Sequence, residues 1–437
     1  MGSRGDSVVG GLMPWRGGRA GCAGRRLRRL ASAAFALSLA AILPLVGCGK
    51  RPSTKQTVVF WQFSPLSAIR PVLDRFQREF PNLEVQVEQL TWQSGREKIV
   101  AAVAAGRPPD LCEIGSTFLP GLVADSTLID LTDSIPDLVP ALRGWEVARF
   151  RGRIYAIPWM VGTRVLYMNG DLMKRAGLSP LRPPATWAEL ARAVQRVDAV
   201  EPEAKGFGMN SGEREVLFKK FMPFAWGNGG DILDSTLTRS VVLSPQNTEA
   251  LRYYLSLKPH SLLDRQEMLD EAFARGRLGF IISGPWMLRK LPEAAPRLHF
   301  EVALMPRPAE GKGSPASFAG AEALGIFRSS KEKGPALQLA RFLAREENAM
   351  PLYIATGNAF PAAIAAERDS YFVSHPRDRI FVEQLRTAVA PPVHPRWVEI
   401  EEILNGELEE AIYGKKSAEA ALRSADSRIE ALLNPKP

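Results

Sequence analysis

Cysteine and histidine are nearly absent from this chain of 437 residues, which holds three of the first and four of the second. None of His260, His299, His375 and His394 stands at a metal-ligand spacing such as His-Glu-x-x-His, so zinc or iron chemistry has no ligand set. Cys22 and Cys48 lie near the amino terminus, which leaves Cys112 without a disulfide partner further on. Stability must then come from core packing, and Cys112, beside Leu111, reads as a small buried hydrophobe. Catalytic signatures are missing too. The serine of Gly208-Met209-Asn210-Ser211-Gly212 comes one place late for a nucleophile elbow. Gly311-Lys312-Gly313-Ser314 and Gly414-Lys415-Lys416-Ser417 lack the upstream glycine of a P-loop. No cofactor is expected, and a carbohydrate-active enzyme working through two paired carboxylates is the enzyme class left open.

Two further shortages bound the setting. The longest apolar run near the start, residues 31–46, falls short of the about 20 residues a membrane-spanning helix needs. Net positive charge is small outside the leader: residues 1–47 carry seven arginines and one acid, and so account for six of the nine net charges. The remainder is close to neutral, which argues against a nucleic-acid partner.

What is present is a leader and a globular body. An arginine-rich run, the apolar stretch and Leu45-Val46-Gly47-Cys48 have the layout of a secretory signal. The ending resembles the bacterial lipobox, with Cys48 as the lipid-bearing first residue after cleavage. The reading is a signal over 1–47 and a polar tether over 48–56. Export by the general or the twin-arginine route, and a start at Met1 or Met13, both stay open. The chain as a whole is 46% apolar and 24% charged, and its body is long enough for two or three domains.

Thr57 to Phe63 reads as a buried strand, and Ile69, Val72, Leu73, Phe76 and Phe80 lie on one helical face closed by Pro81. The alternating Leu83, Val85 and Val87 then complete a βαβ unit. A second helix stops at Gly106 to Pro109 before a strand over 110–114. Ligands of open α/β sheets bind beyond the carboxyl ends of strands, which makes Gln62, Ser64 and Ser116 candidates, with capping and turn formation as the alternative.

The segment 151–177 organises the rest. Pro158 cannot donate a ladder hydrogen bond, so the chain is expected to leave its sheet there, with Trp159 at a lobe boundary. A core tryptophan at a strand edge fits equally well. Asn169-Gly170-Asp171 should open a helix, and Thr186-Trp187-Ala188-Glu189 matches a capping box. Residues 218–231 crowd aromatics with glycine and read as loop-like, as do 281–286, where an apolar strand breaks at Ser283-Gly284-Pro285. Trp61, Trp92, Trp159, Trp226, Trp286 and Trp397 lie near small or amide side chains, where flat rings could meet sugar C–H faces.

Taken in order, TVVFWQFS, GRPPDLCEIGS, RIYAIPWMVGTRVLYMNGDLMKRAG with PPATWAEL, AWGNGGDILD, AFARGRLGFIISGPW and GELEEAIYGKKSAEAAL resemble the maltose-binding-like, extracellular solute-binding proteins of carbohydrate ABC importers. The resemblance implies an α/β, two-lobed periplasmic-binding-protein fold with about three crossings, a non-catalytic protein, and a ligand cleft between lobes. The first lobe would comprise 57–157 and 304–345, the second 158–303 and 346–437. Gln62, Ser64, Trp92, Ser116, Gly320 and Glu322 would line the cleft from the first lobe. Trp159, Met160, Trp226, Ser283, Trp286 and Trp397 would line it from the second. A sugar or polyol would be held by hinge closure and handed to permease subunits, by a monomer lipid-anchored to a membrane on its extracytoplasmic face. A lipoprotein that only senses or scaffolds is the non-transport alternative.

Overall fold

The computed structural model describes residues 55–213 and 216–435. The expected signal segment, Cys48 and the tether as far as residue 54 lie outside the described residues.

The strand Gln56–Gln62 pairs in parallel with Leu83–Gln89, from Gln56 opposite Leu83 to Gln62 opposite Gln89. Helix Leu66–Glu79 crosses between them and buries Ile69, Val72, Leu73 and Phe76, the apolar face its spacing predicts. Leu111–Gly115, buried at every position, pairs with the other side of Gln56–Gln62. Gly320–Ile326 then runs antiparallel between Leu111–Gly115 and Ala156–Gly162, and Phe360–Pro361 adds a short sixth strand at the edge. The second sheet has five strands, in the order Phe300–Ala303, Val165–Asn169, Leu278–Ser283, Lys205–Asn210 and Ser261–Asp264.

The helix starts follow the sequence. Asn169 accepts the backbone N–H groups of Asp171 and Leu172, and Thr186 and Glu189 form the expected reciprocal box at the head of Trp187–Val200. Among the described residues no helix is long and apolar enough to cross a membrane.

Three expectations are corrected. Pro158 does not take the chain out of its sheet. The register against Gly320–Ile326 slips between Glu322 and Ala323, which face Met160 and Pro158, so Trp159 is the extra residue of a bulge. A bulge tolerates a residue without a donor inside a sheet. The chain leaves only after Gly162, through Thr163 and Arg164, to start the second sheet at Val165. Residues 158–162 therefore belong to the first lobe. So do 346–361: helix Glu346–Thr356 packs on Leu66–Glu79, and Phe360–Pro361 pairs with Val161 and Met160.

The third correction concerns 218–231, most of which is helix. Leu217–Gly227 buries all of its residues except Lys219, despite carrying Pro223. Apolar but for Lys219 and Lys220, it offers little polar face to read and owes its stability to being enclosed in the second lobe.

Trp159 illustrates the packing. It is 1% exposed, its indole N–H donates to the Leu343 carbonyl at 3.1 Å, and its ring meets Phe60 edge-on at 6.2 Å. The structure thus places it in the core under helix Lys333–Leu343 and off the cleft wall. Trp159→Ala should cost about 3–5 kcal/mol, measured as a lowered urea midpoint; a variant as stable as the parent would show that the indole is not packed in the core.

Candidate functional site

Both sheets end at one place. Gln62, Gln89, Gly115 and Gly162 finish their strands on the edge where Gly320 begins its own, with Gly320 opposite Gly162 and Glu322 opposite Gly115. In the second sheet Val165 starts where Ser283, Asn210, Asp264 and Ala303 finish, with Ser283 opposite Val165 and Ala303 opposite Leu166. Thr163-Arg164 joins the two edges. Ligands of open α/β sheets bind at such carboxyl edges.

Charged groups gather there. Glu113, 1% exposed, accepts the Phe63 N–H at 2.7 Å and is hydrogen-bonded to Glu322 on the neighbouring strand. Burial, then the Glu322 charge, pushes Glu113 well above the usual carboxylate range, while burial lifts Glu322 to about 7 against the pull of Glu113 and Arg164. The two behave as one acid pair sharing a proton. The Arg164 guanidinium lies 4.6 Å from the centroid of Trp286 and 5.9 Å from that of Phe318, and donates to the Thr163 carbonyl at 3.0 Å. Burial brings Arg164 down to about 10 although Glu322 and Asp270 favour its charge.

Asp270 is the hub on the second lobe. Its carboxylate accepts from Ser283 Oγ at 2.9 Å, Gln266 Nε2 at 2.7 Å and Trp286 Nε1 at 2.9 Å, which fixes the plane of the indole that Arg164 covers. Close by, Lys220 is 2% exposed and donates to the Ile282 carbonyl at 2.9 Å. Thr163 Oγ1, Asn210 Oδ1 and Gln266 Oε1 are buried at these edges without a hydrogen-bond partner among the described residues. Each such atom costs about 1–3 kcal/mol unless a partner arrives.

Of the residues expected to line a cleft, eight reach these edges, Gln62 and Ser283 at strand ends and six others. Trp92 is 52% exposed and stacked on Phe63 at 4.0 Å. Trp286, Gly320 and Glu322 are partly exposed. Ser116 Oγ accepts the Ala321 N–H at 3.2 Å, and Ser64 gives its N–H and carbonyl to the Gln62 side chain at 2.6 and 2.9 Å. Gln62 is therefore occupied in closing a turn and fully buried. Met160 is buried too, and Ser283 is committed to Asp270. Besides Trp159, two tryptophans lie in the core. Trp226 donates to Asp231 at 3.2 Å near the end of Leu217–Gly227. Trp397 donates to Glu401 at 2.9 Å and meets Phe218 edge-on at 5.7 Å.

Sequence reasoning missed Arg164, Glu113, Asp270 and Lys220. Two of them carried a signal, one charge inside a largely apolar run, as in Leu111-Cys112-Glu113-Ile114 and Gly162-Thr163-Arg164-Val165, and Lys220 stands as the second of a lysine pair between Phe218 and Phe221. Elsewhere the lobes nearly touch. Arg96, Thr117 and Phe118 face Val398, Glu401 and Glu402 across a space of about 10 Å³, room for one water. A larger cavity of about 480 Å³ is lined by residues between Glu367 and Arg386.

A family model described as bacterial extracellular solute-binding protein matches residues 61–350, more than half of the chain. A binding protein of Brucella abortus (strain 2308) is 25% identical over 404 residues, covering 90% of this chain and 96% of that one. The sn-glycerol-3-phosphate-binding periplasmic protein of Pectobacterium atrosepticum is 25% identical over 395 residues, covering 84% and 88%. Among solved structures, an ABC transporter solute-binding protein from Thermotoga lettingae bound with alpha-D-tagatose superposes with a TM-score of 0.78 at 24% identity, over 87% of this chain and all of that one. The two-lobed periplasmic-binding-protein fold is thereby shared.

The acid pair makes stability depend on pH. With both carboxyls raised, the folded state holds more protons than the unfolded one between about pH 4.5 and 7, so stability should fall as pH rises through that window. His394, which burial holds below its ordinary value, acts in the opposite sense near its own range, so parent and Glu322→Gln must be compared. Melting from pH 5 to 8 should show a decline in the parent that is flatter in the variant; equal slopes would refute the shared proton.

Proposed function

Because this chain belongs to the bacterial extracellular solute-binding proteins, we propose that it captures a sugar or related polyol between its lobes and delivers it to the permease of an ABC importer. The observation that carries this reading is the convergence of both sheet edges on Thr163-Arg164, with a hydrogen-bonding set of unpaired buried oxygens beside Trp286 and Trp92. Polyol hydroxyls both donate and accept, and the unpaired atoms of Thr163, Asn210 and Gln266 suit them, while a partly exposed indole suits a sugar's C–H face. The tagatose and glycerol 3-phosphate named for the similar proteins are both of this chemical kind.

Closure about the linker supplies the mechanism: a ligand touching both edges stabilises the closed form by its differential affinity for it. The carboxylate pair does not favour a glycosidase, because Glu113 and Glu322 hydrogen-bond to each other, whereas that chemistry needs carboxyls about 5 Å or more apart. In the exported protein, Cys48 would carry the lipid that holds this domain at the membrane.

A sugar or polyol at about 100 times its Kd should raise the unfolding free energy by roughly 2.7 kcal/mol. A panel of monosaccharides, disaccharides, polyols and phosphorylated polyols that gave no thermal shift would overturn the transport reading. Trp286→Ala should weaken the ligand found at least tenfold while the protein stays folded. Separately, radiolabelled palmitate should enter the full-length protein expressed in a bacterial host, and Cys48→Ser should abolish both the label and membrane retention; undiminished labelling would remove Cys48 as the anchor.

A further inference from the structure

We propose that the solute captured in this cleft carries an anionic group, a phosphate ester or a carboxylate, which pairs with Arg164 and offsets its repulsion with Lys220. The inference rests on the cleft-binding reading above and narrows its ligand class.

Two cations at this edge form no ion pair among the described residues. Among the described residues Arg164 forms no ion pair, and of its five N–H donors one is used, on the carbonyl of its neighbour Thr163. Its position is set by the rings of Trp286 and Phe318, contacts that leave the guanidinium edge free to donate. Lys220, more deeply buried, has one carbonyl partner and no ion pair among the described residues. A buried ammonium is rarely left in this state, because desolvation costs it several kcal/mol. The two cations are near enough that Arg164 works against the charge on Lys220, and Lys219 adds to the effect.

The neighbouring acids do not resolve this, because their oxygens are turned toward neutral donors. Asp270 is taken up by Ser283, Gln266 and Trp286. Glu213 accepts from Asn210 Nδ2 at 2.7 Å and from the Gln266 N–H at 2.8 Å. Glu322 shares its proton with Glu113, which limits the charge it can offer Arg164. The acids help the cations at a distance, yet none makes the close contact that a bidentate guanidinium partner would.

A second feature of the fold acts in the same direction. Lys220 lies in the first turn of Leu217–Gly227, the end of a helix that favours negative charge. The Phe218 N–H of that turn is already held by Asn405 Oδ1 at 2.8 Å, so an anion at the Arg164 edge would meet the guanidinium directly and feel the ammonium and the helix end through their fields. A neutral sugar could satisfy Thr163, Asn210 and Gln266 but would leave both cations unpaired.

The test compares matched probes by calorimetry on the parent protein: glycerol against glycerol 3-phosphate, glucose against glucose 6-phosphate, and galactose against galacturonate. The anionic member of at least one pair should bind more than tenfold tighter, and its Kd should rise as sodium chloride goes from about 50 to 500 mM. The phosphate and uronate arms identify which anion is preferred. Arg164→Met should remove most of that preference and Arg164→Lys should restore part of it; Lys220→Met, checked for folding by its melting curve, should weaken the anion without affecting a neutral probe. Tighter binding of a neutral member, or an anion preference unchanged in Arg164→Met, would overturn this inference and leave the transport reading standing. Absence of binding by every probe would overturn both.

Discussion

The bulge at Trp159 sets the geometry on which the rest of the molecule depends. By adding one residue to its strand, it lets Pro158 sit inside a sheet without breaking a ladder bond and turns the indole down toward Leu343. The strand then continues to Gly162, so that the chain crosses to the second sheet at the shared carboxyl edge. A crossing at Pro158 itself would have left Thr163 and Arg164 further along the second strand. The bulge thus converts a packing requirement of the first lobe into the placement of Arg164 between the two.

At that edge, hydrogen bonds to neutral groups do most of the charge holding. Asp270 and Glu213 are solvated by side-chain amides, a hydroxyl, an indole and backbone N–H groups, and Glu113 by Phe63 and its partner acid. Such solvation fixes each acid in place and keeps it from collapsing onto the nearest cation. The arrangement costs stability, since a buried charge without a close partner is poorly compensated. Sites that must exchange one set of partners for another accept that cost, because a pre-formed internal ion pair would compete with the incoming solute.

The fold was largely legible in the sequence because its signals are local. The period of Ile69, Val72, Leu73 and Phe76, the Asn169 cap and the Thr186–Glu189 box each act within a few residues and appear where they were read. The site was legible only in part. Trp159, Trp226 and Trp397 look like sugar platforms by composition, but whether a ring faces a cleft or a helix depends on register and on distant partners such as Leu343. Leu217–Gly227 defeated its reading for a related reason: enclosed on all sides, it has little polar face to supply a period. Asp270 was invisible because its partners Ser283 and Trp286 come from a different strand and loop.

The contrast between two charged clusters suggests how closure and binding divide the work. In helix Pro376–Gln384, Asp378 accepts from Arg289 of the second lobe at 2.7 Å and from the Tyr353 hydroxyl of the first, with Tyr371 also on Arg289. There the charges are directly paired, the acid is buried, and ring contacts of Arg289 with Tyr353 and Tyr371 hold the cation on both sides. This pairing spans the lobes without needing a solute, so it can stay intact as a pivot. Arg164 has the opposite character: it is held by rings and forms no ion pair among the described residues, which leaves it the group that an anionic solute of the proposed kind would affect most. If the lobes close as proposed, Asp378 is placed to keep its partners throughout, whereas Arg164 is placed to gain one.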